Sequence, residues 1–170
     1  MNEKNEALVL IDIQNDYFPG GRYPLKGMKK AARQAAALLA TWRNDNRPVV
    51  HVRHINIHPG AAFFLPGTAG AEIHPLVVPL PGEKVFEKNY PNSFRLTGLD
   101  EWFRKEGITT LHVAGAMTNM CIDTTIRAGF DLGYSMVLHQ EACAAVGFLG
   151  TRLVHRITVK TLGSVFARVV

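Results

Sequence analysis

The segment Thr110–Ile126, TLHVAGAMTNMCIDTTI, constrains the fold of this chain more than any other. Its early residues, LHVA, form a short apolar run that predicts a buried strand, and Gly115 then interrupts the run. Thr118 and Asn119 are residue types that favour helix N-caps, so the following residues are predicted to form a helix. The order is strand, sharp turn and helix, and Cys121 falls in the first turn of that helix.

The position of Cys121 has a chemical consequence. Free backbone N–H groups and the positive end of a helix dipole lower the pKa of a thiol, and the thiolate is the reactive nucleophile. We therefore predict that Cys121 is a catalytic nucleophile; the alternative is a small buried apolar residue, which is a common role for a free cysteine. The other cysteine is Cys143. Two cysteines are too few for a disulfide framework, and their spacing matches no zinc signature.

Strand and helix patterns alternate along the chain. The continuous apolar run ALVLI is typical of a strand buried on both faces, and the one-sided apolar pattern over residues 28–43 is typical of an amphipathic helix. The patterns predict strands at Ala7–Ile11, Pro48–Val52, Glu83–Lys88, Leu111–Ala114, Ser135–His139 and Ala167–Val170, and helices at Met28–Arg43, Leu99–Glu106, Asp123–Asp131 and His155–Val165. Residues 141–144 are predicted to form a loop. This alternation predicts one α/β domain over residues 1–170 with a mainly parallel sheet.

Two charged residues stand where predicted strands end. Asp12 follows the apolar run ALVLI directly, and Lys88 ends the run EKVFEK. Open α/β sheets bind ligands at the carboxyl ends of their strands, so Asp12 is a candidate general acid or base. The alternative for Asp12 is a turn or cap residue. Lys88, taken alone, would be an ordinary solvated lysine.

Residues 57–81 form a segment that is rich in proline and glycine and predicts no regular secondary structure. Irregular segments of this length in compact domains are commonly functional covers or binding loops. Four histidines lie in this segment or just before it, namely His51, His54, His58 and His74. Their spacing supplies no recognised ligand set with a carboxylate partner, so we predict no metal site.

Composition limits the class of protein. The 170 residues are 47% hydrophobic and 19% charged, which suits one globular domain with a substantial core. The net charge of +5 is scattered along the chain and forms no basic patch interleaved with aromatic residues, so we predict no nucleic-acid partner. The N-terminal residues do not resemble a signal peptide, and no run approaches the roughly 18 apolar residues of a membrane span. We therefore expect a cytoplasmic protein without a membrane partner.

Three motifs in order, LVLIDIQNDYFPGG, FEKNYPNSF and VAGAMTNMCIDTTIRAGFDLGY, resemble the isochorismatase-like cysteine hydrolases over nearly the whole chain. The resemblance implies a three-layer α/β/α sandwich with a Rossmann-like, mainly parallel sheet. It implies a catalytic triad of Asp12, Lys88 and Cys121. It also implies a cis peptide bond between Ala116 and Met117, and an oxyanion hole formed by the backbone N–H groups of Met117 and Cys121.

The resemblance implies hydrolysis of a small amide or related C–N bond. Cys121 would attack the carbonyl and form a thioester, while Asp12 would carry the proton as base and then acid. No cofactor is implied. Isochorismatases themselves cleave a vinyl ether and characteristically lack the nucleophilic cysteine, so Cys121 favours C–N hydrolysis. Vinyl ether hydrolysis and a catalytically idle binding or scaffold role remain the alternatives.

The substrate is harder to predict than the reaction. Nicotinamidases of the family hold a metal with an Asp two residues before a His, but the matching run here, HVRHIN, contains no Asp. Phe18, Phe64 and Tyr90 are candidate aromatic walls of a substrate pocket, and core packing is the alternative for each. The family also implies a homo-oligomer, a dimer or larger. The region after Cys143 is shorter than in many relatives, where it shapes the pocket or a subunit contact.

Overall fold

The strands of the central sheet run parallel, in the order β3-β2-β1-β4-β5-β6. The computed structural model describes residues 5–146 and 150–170. The strands are β1 (Glu6–Ile11), β2 (Val49–His54), β3 (Lys84–Lys88), β4 (Thr110–Ala116), β5 (Ser135–Ala144) and β6 (Arg168–Val169), and the helices are α1 (Met28–Asn44), α2 (Leu99–Lys105), α3 (Asp123–Asp131) and α4 (Thr151–Val165). None of the helices in these two ranges is both long and apolar enough to span a bilayer.

Helices cover both faces of the sheet, because alternate residues of each buried strand point to opposite sides. Leu8 and Leu10 of β1 pack in one core with buried residues of α1, including Leu39. Val9 and Ile11, one residue out of step, pack in a second core with buried residues of α2, α3 and α4. The three-layer α/β/α sandwich and the mainly parallel sheet are therefore confirmed.

The predicted loop at residues 141–144 is wrong, because β5 continues to Ala144. The pairing of β5 with β4 shifts register between Val113 and Gly115 and then resumes, so that Gly115 lies opposite Cys143. This irregularity resembles a β-bulge, which inserts extra residues without ending the ladder. Gly115 likewise does not end β4, which runs on to Ala116. The long irregular segment is confirmed between β2 and β3, with short 3₁₀ turns at Ala69–Ala71 and Pro75–Val77.

Gly115 allows β4 to approach the end of β1 closely. Its φ is +132°, a conformation that residues with a Cβ rarely adopt. A Cβ built at this position would lie 1.9 Å from the Ile11 carbonyl oxygen. Because Asp12 follows Ile11 directly, the missing side chain of Gly115 helps to fix where the Asp12 carboxylate lies.

We expect Gly115→Ala to lower the free energy of unfolding by about 3 kcal/mol, because the added methyl group overlaps backbone that has no room to move. Gly133→Ala is the matched control: Gly133 also has a positive φ, of +92°, but no atom lies within 4 Å of its added Cβ. The control should lose only about 1 kcal/mol, from the backbone conformation alone. Urea denaturation of both variants tests this, and equal losses would contradict the role of close packing.

Candidate active site

Four residues with reactive side chains lie side by side at the carboxyl edge of the sheet. Lys88 ends β3 and is paired in register with His54, which ends β2. Asp12 follows β1, and its backbone N–H donates to the Val52 carbonyl of β2 at 3.0 Å. Cys121 comes shortly after β4. Because the strand order is β3-β2-β1-β4, the order of the four residues along this edge follows from the topology.

The Lys88 ammonium is the centre of this group. Its Nζ atom lies 2.7 Å from Asp12 Oδ2, 2.9 Å from His54 Nδ1 and 3.3 Å from Cys121 Sγ. A lysine ammonium has three N–H donors and no acceptor, so each donor has one acceptor. The side chains of Lys88 and Asp12 are both fully buried. The sequence-predicted triad is therefore brought together, with His54 as a fourth member that sequence reasoning did not place there.

One carboxylate oxygen of Asp12 lacks a hydrogen-bond partner among the described residues. Its Oδ2 binds Lys88, whereas Oδ1 has no hydrogen-bond partner among the residues that the structure describes. A carboxylate oxygen of Asp12 lies within 4.8 Å of Cys121 Sγ. Asp12 also has a φ of +53°, in the left-handed region that aspartate enters more readily than most residues. A buried carboxylate beside a thiol is suited to accept its proton.

Cys121 lies in a π-helical turn, Thr118–Ile122, that leads into α3. The prediction that Thr118 and Asn119 cap this helix is wrong, because no side chain caps the turn. The Thr118 hydroxyl instead pairs with His155 Nδ1 of α4 at 3.0 Å, and Asn119 Oδ1 accepts the N–H of Val146 at 3.2 Å. The polar residues before Cys121 thus tie the turn to neighbouring segments. The peptide bond between Ala116 and Met117 is cis.

The prediction that Cys121 has a lowered pKa is also wrong for the free protein. Burial and the nearby Asp12 carboxylate raise the pKa of the thiol to about 12, although Lys88 lowers it. The Cys121 side chain is therefore a neutral thiol at pH 7. For Lys88, burial alone would lower the pKa, but the Asp12 carboxylate and Cys121 together raise it above its ordinary value.

Two aromatic candidates for the pocket contact different residues. Phe64 is buried, and its ring centroid lies 6.0 Å from that of His54. The carboxylate of Asp16 holds Phe64 in place by accepting its backbone N–H at 2.7 Å. Phe18 stacks on His74 at a centroid distance of 3.6 Å. Phe64 is thus placed beside the four-residue group, whereas Phe18 packs against the irregular segment.

Two tyrosines complete the aromatic surroundings. Tyr90, the third predicted pocket residue, is half-buried and lies under the guanidinium of Arg95, 3.7 Å from the ring centroid. Tyr17, which sequence reasoning missed, is buried and contacts the Phe64 ring at 4.5 Å. Burial raises the pKa of Tyr17 well above its ordinary value, and the negative charge of Asp12 raises it further. Tyr17 directly follows the polar run DIQND, and this position was the sequence signal that could have placed it near Asp12.

Three of the four histidines near the irregular segment have separate side-chain partners. His51 pairs with Glu83 at 2.9 Å, His54 with Lys88, and His74 accepts the Leu76 N–H while stacking on Phe18. Over residues 5–146 and 150–170, one group of three or more possible metal ligands is found, formed by Asp12, His54 and Cys121. Their ligand atoms surround the Lys88 ammonium. The Lys88 ammonium thus already occupies the position between these three side chains.

A cavity of about 640 Å³ lies elsewhere, between α1, the end of β5 and the start of α4. Its lining includes Lys30, Glu141, Cys143 and His155 but none of the triad residues. This cavity and the reactive group are therefore different places on the molecule.

Comparison with known proteins places the chain in a family. The Isochorismatase domain model matches residues 6–168, and the chain belongs to this family of hydrolases. The isochorismatase family protein YddQ of Bacillus subtilis is 48% identical over 138 residues, which cover 81% of this chain and 77% of YddQ. A crystal structure from Oleispira antarctica, assigned to the isochorismatase hydrolases, has a TM-score of 0.92 and 44% identity, and the match covers 99% of this chain and 94% of that one.

A third relative carries the name of an activity. Streptothricin hydrolase of Streptomyces noursei is 34% identical over 142 residues. The match covers 82% of this chain but 49% of that protein.

We expect Asp12→Asn to lower the free energy of unfolding at pH 7 by about 3–5 kcal/mol, because the buried Lys88 ammonium loses its countercharge. In the variant, burial lowers the pKa of Lys88, so the loss shrinks as the pH rises from 7 towards 10 and the lysine becomes neutral. In the wild type the pKa of Lys88 is raised, so its contribution is constant over that range and falls only at higher pH.

Urea denaturation at pH 7 and pH 10 measures both effects. Glu141→Gln is the control, because it removes one partner of an exposed ion pair with Lys30 whose side chains are 71% and 66% exposed. That change should alter stability by less than about 1 kcal/mol at either pH. A loss in Asp12→Asn that does not depend on pH would contradict a charged Lys88.

Proposed function

We propose that this protein is a cysteine-dependent hydrolase that cleaves the C–N bond of a small amide or a related compound through a thioester. The observation that supports it is the convergence of Asp12, Cys121 and the Lys88 ammonium within hydrogen-bond distance at the carboxyl edge of the sheet. A nucleophile, a proton acceptor and a fixed positive charge are the groups that acyl transfer through sulfur needs.

The first step transfers the thiol proton. The Cys121 proton moves to the free Oδ1 of Asp12 as sulfur attacks the substrate carbonyl carbon, so an S–C bond forms and the carbonyl π electrons move to oxygen. Lys88 donates a hydrogen bond to Sγ and stabilises the sulfur while its negative charge develops. Coupling deprotonation to attack suits a thiol whose pKa is about 12 in the free protein.

The second step expels the amine. In the proposal, the backbone N–H groups of Met117 and Cys121 donate to the tetrahedral oxyanion. As the carbonyl re-forms, the C–N bond breaks and Asp12 returns its proton to the leaving nitrogen. Water then attacks the thioester with Asp12 as base, and the products are a carboxylic acid and the thiol of Cys121. One water molecule is consumed for each C–N bond broken.

Two considerations favour a C–N bond over a vinyl ether. A nucleophilic thiol has no role in protonating a vinyl ether, whereas it is the central group of thioester chemistry. Among the relatives, two from Streptomyces noursei are named streptothricin hydrolase rather than isochorismatase. Phe64, held beside His54, is the side chain that we propose as one wall of the substrate pocket.

We expect Cys121→Ala to abolish hydrolysis, reducing kcat at least about a thousandfold, because no other group can form the thioester. The assay incubates the protein with a panel of small primary amides, lactams and one vinyl ether, and measures product and intact-protein mass. Cys143→Ala is the matched control, since Cys143 is also buried and free but is not among the hydrogen-bond partners of Lys88. It should retain wild-type turnover.

Each outcome of this assay is informative. An acyl adduct on the wild type that is missing in Cys121→Ala supports the thioester and reveals the substrate class. Vinyl ether cleavage that survives Cys121→Ala would overturn the proposal in favour of the isochorismatase reaction. No turnover of any compound would favour a binding or scaffold role.

A further inference from the structure

We propose that His54 is a positioning residue, which holds the Lys88 ammonium against Asp12 and Cys121. The proposal rests on the contact between Lys88 Nζ and His54 Nδ1 and on the place of His54 in the sheet. It deepens the proposed function, because it assigns a role to a residue outside the Asp12, Lys88 and Cys121 triad.

The strand order explains why His54 meets the Lys88 side chain. Lys88 is on β3, whereas its partner Asp12 follows β1, and β2 lies between these strands. Neighbouring strands are about 4.8 Å apart, so the Lys88 side chain must cross β2 before its ammonium reaches Asp12. His54 is the β2 residue in register with Lys88, and it therefore lies where the crossing occurs.

The hydrogen bond fixes the chemical state of His54. An ammonium can only donate, so Nδ1 must accept and the imidazole is neutral with its hydrogen on Nε2. The charged and titratable groups that face His54 are Lys88, Asp12, Cys121 and His58. Burial and the positive charge of Lys88 lower the pKa of His54 to about 4. The acceptor nitrogen is thus unprotonated throughout the neutral range.

The backbone of His54 is itself held from β1. The buried amide of Gln14 donates from Nε2 to the His54 carbonyl at 2.8 Å and accepts the His54 N–H on Oε1 at 2.8 Å. Gln14 Nε2 also donates to the Ala71 carbonyl of the irregular segment at 2.7 Å. The residues following β1 therefore hold Lys88 twice, directly through Asp12 and indirectly through Gln14 and His54.

The test is the pH profile of iodoacetamide alkylation of Cys121, measured by intact-protein mass in a Cys143→Ala background. We expect His54→Ala to lower the alkylation rate about tenfold at every pH in the neutral and moderately alkaline range, as a rise of about one unit in the thiol pKa would do, because the ammonium is no longer held at Sγ. His54→Asn should restore most of the rate, since its Oδ1 occupies nearly the position of His Nδ1 and also accepts.

His58→Ala is the control, because His58 is exposed and close in sequence to His54. It should leave the profile unchanged. A wild-type profile in His54→Ala would overturn the proposal, and so would a His54→Asn protein that is folded by circular dichroism yet alkylates as slowly as His54→Ala.

Alkylation needs no substrate, so this test is separate from that of the proposed hydrolysis. If no amide is turned over but His54→Ala shifts the alkylation profile, the positioning role stands and the proposed function fails. If turnover depends on Cys121 while the His54→Ala profile is that of the wild type, the positioning role alone fails. Where a substrate is found, we expect His54→Ala to reduce kcat about tenfold with KM little changed, because His54 acts through Lys88.

Discussion

The buried ion pair between Lys88 and Asp12 is the interaction on which the rest of this site depends. Removing two charges from water has an effective penalty of several kcal/mol per ion, which mutual attraction offsets only if geometry and hydrogen bonding are good. Here the 2.7 Å contact supplies the attraction, and two further acceptors take the remaining N–H groups of Lys88. A buried cation with all three donors satisfied is held in one orientation.

The topology of the sheet makes that pairing possible. β1 lies at the centre, with β2 and β3 on one side and β4 on the other. Because all four strands run in one direction, their carboxyl ends meet at one edge. Gly115 lets β4 approach the Ile11 carbonyl, and Gln14 ties the end of β1 to His54 of β2. Close backbone contacts between neighbouring strands thus set the side-chain distances of the site.

Local patterns and a family resemblance were sufficient to predict the parallel α/β sandwich and to name Asp12, Lys88 and Cys121. They were not sufficient to place His54, because its proximity to Lys88 depends on β2 lying between β1 and β3. Strand order depends on the whole chain and cannot be predicted from the run HVRH alone. The length of β5 was missed for a similar reason, since the register shift opposite Gly115 extends its pairing.

The direction of the Cys121 pKa shift could not be predicted from position in a helical turn, because burial and the charge of Asp12 together outweigh the favourable effect of Lys88. Cys121 is 5% exposed. Burial is a consequence of tertiary packing, so the protonation state follows from the fold rather than from the local motif.

A neutral thiol beside an ion pair has an advantage for the proposed chemistry. At rest the site contains one ammonium and one carboxylate, and moving the proton from Cys121 to Asp12 leaves one ammonium and one thiolate. Lys88 contacts both Asp12 Oδ2 and Cys121 Sγ, so the negative charge moves between two atoms that the same cation already touches. The net charge of the buried site does not change, and the large desolvation penalty for creating an isolated ion is avoided. Under the proposed mechanism, the negative charge that Cys121 Sγ acquires during attack is therefore already present in the resting site, on the Asp12 carboxylate.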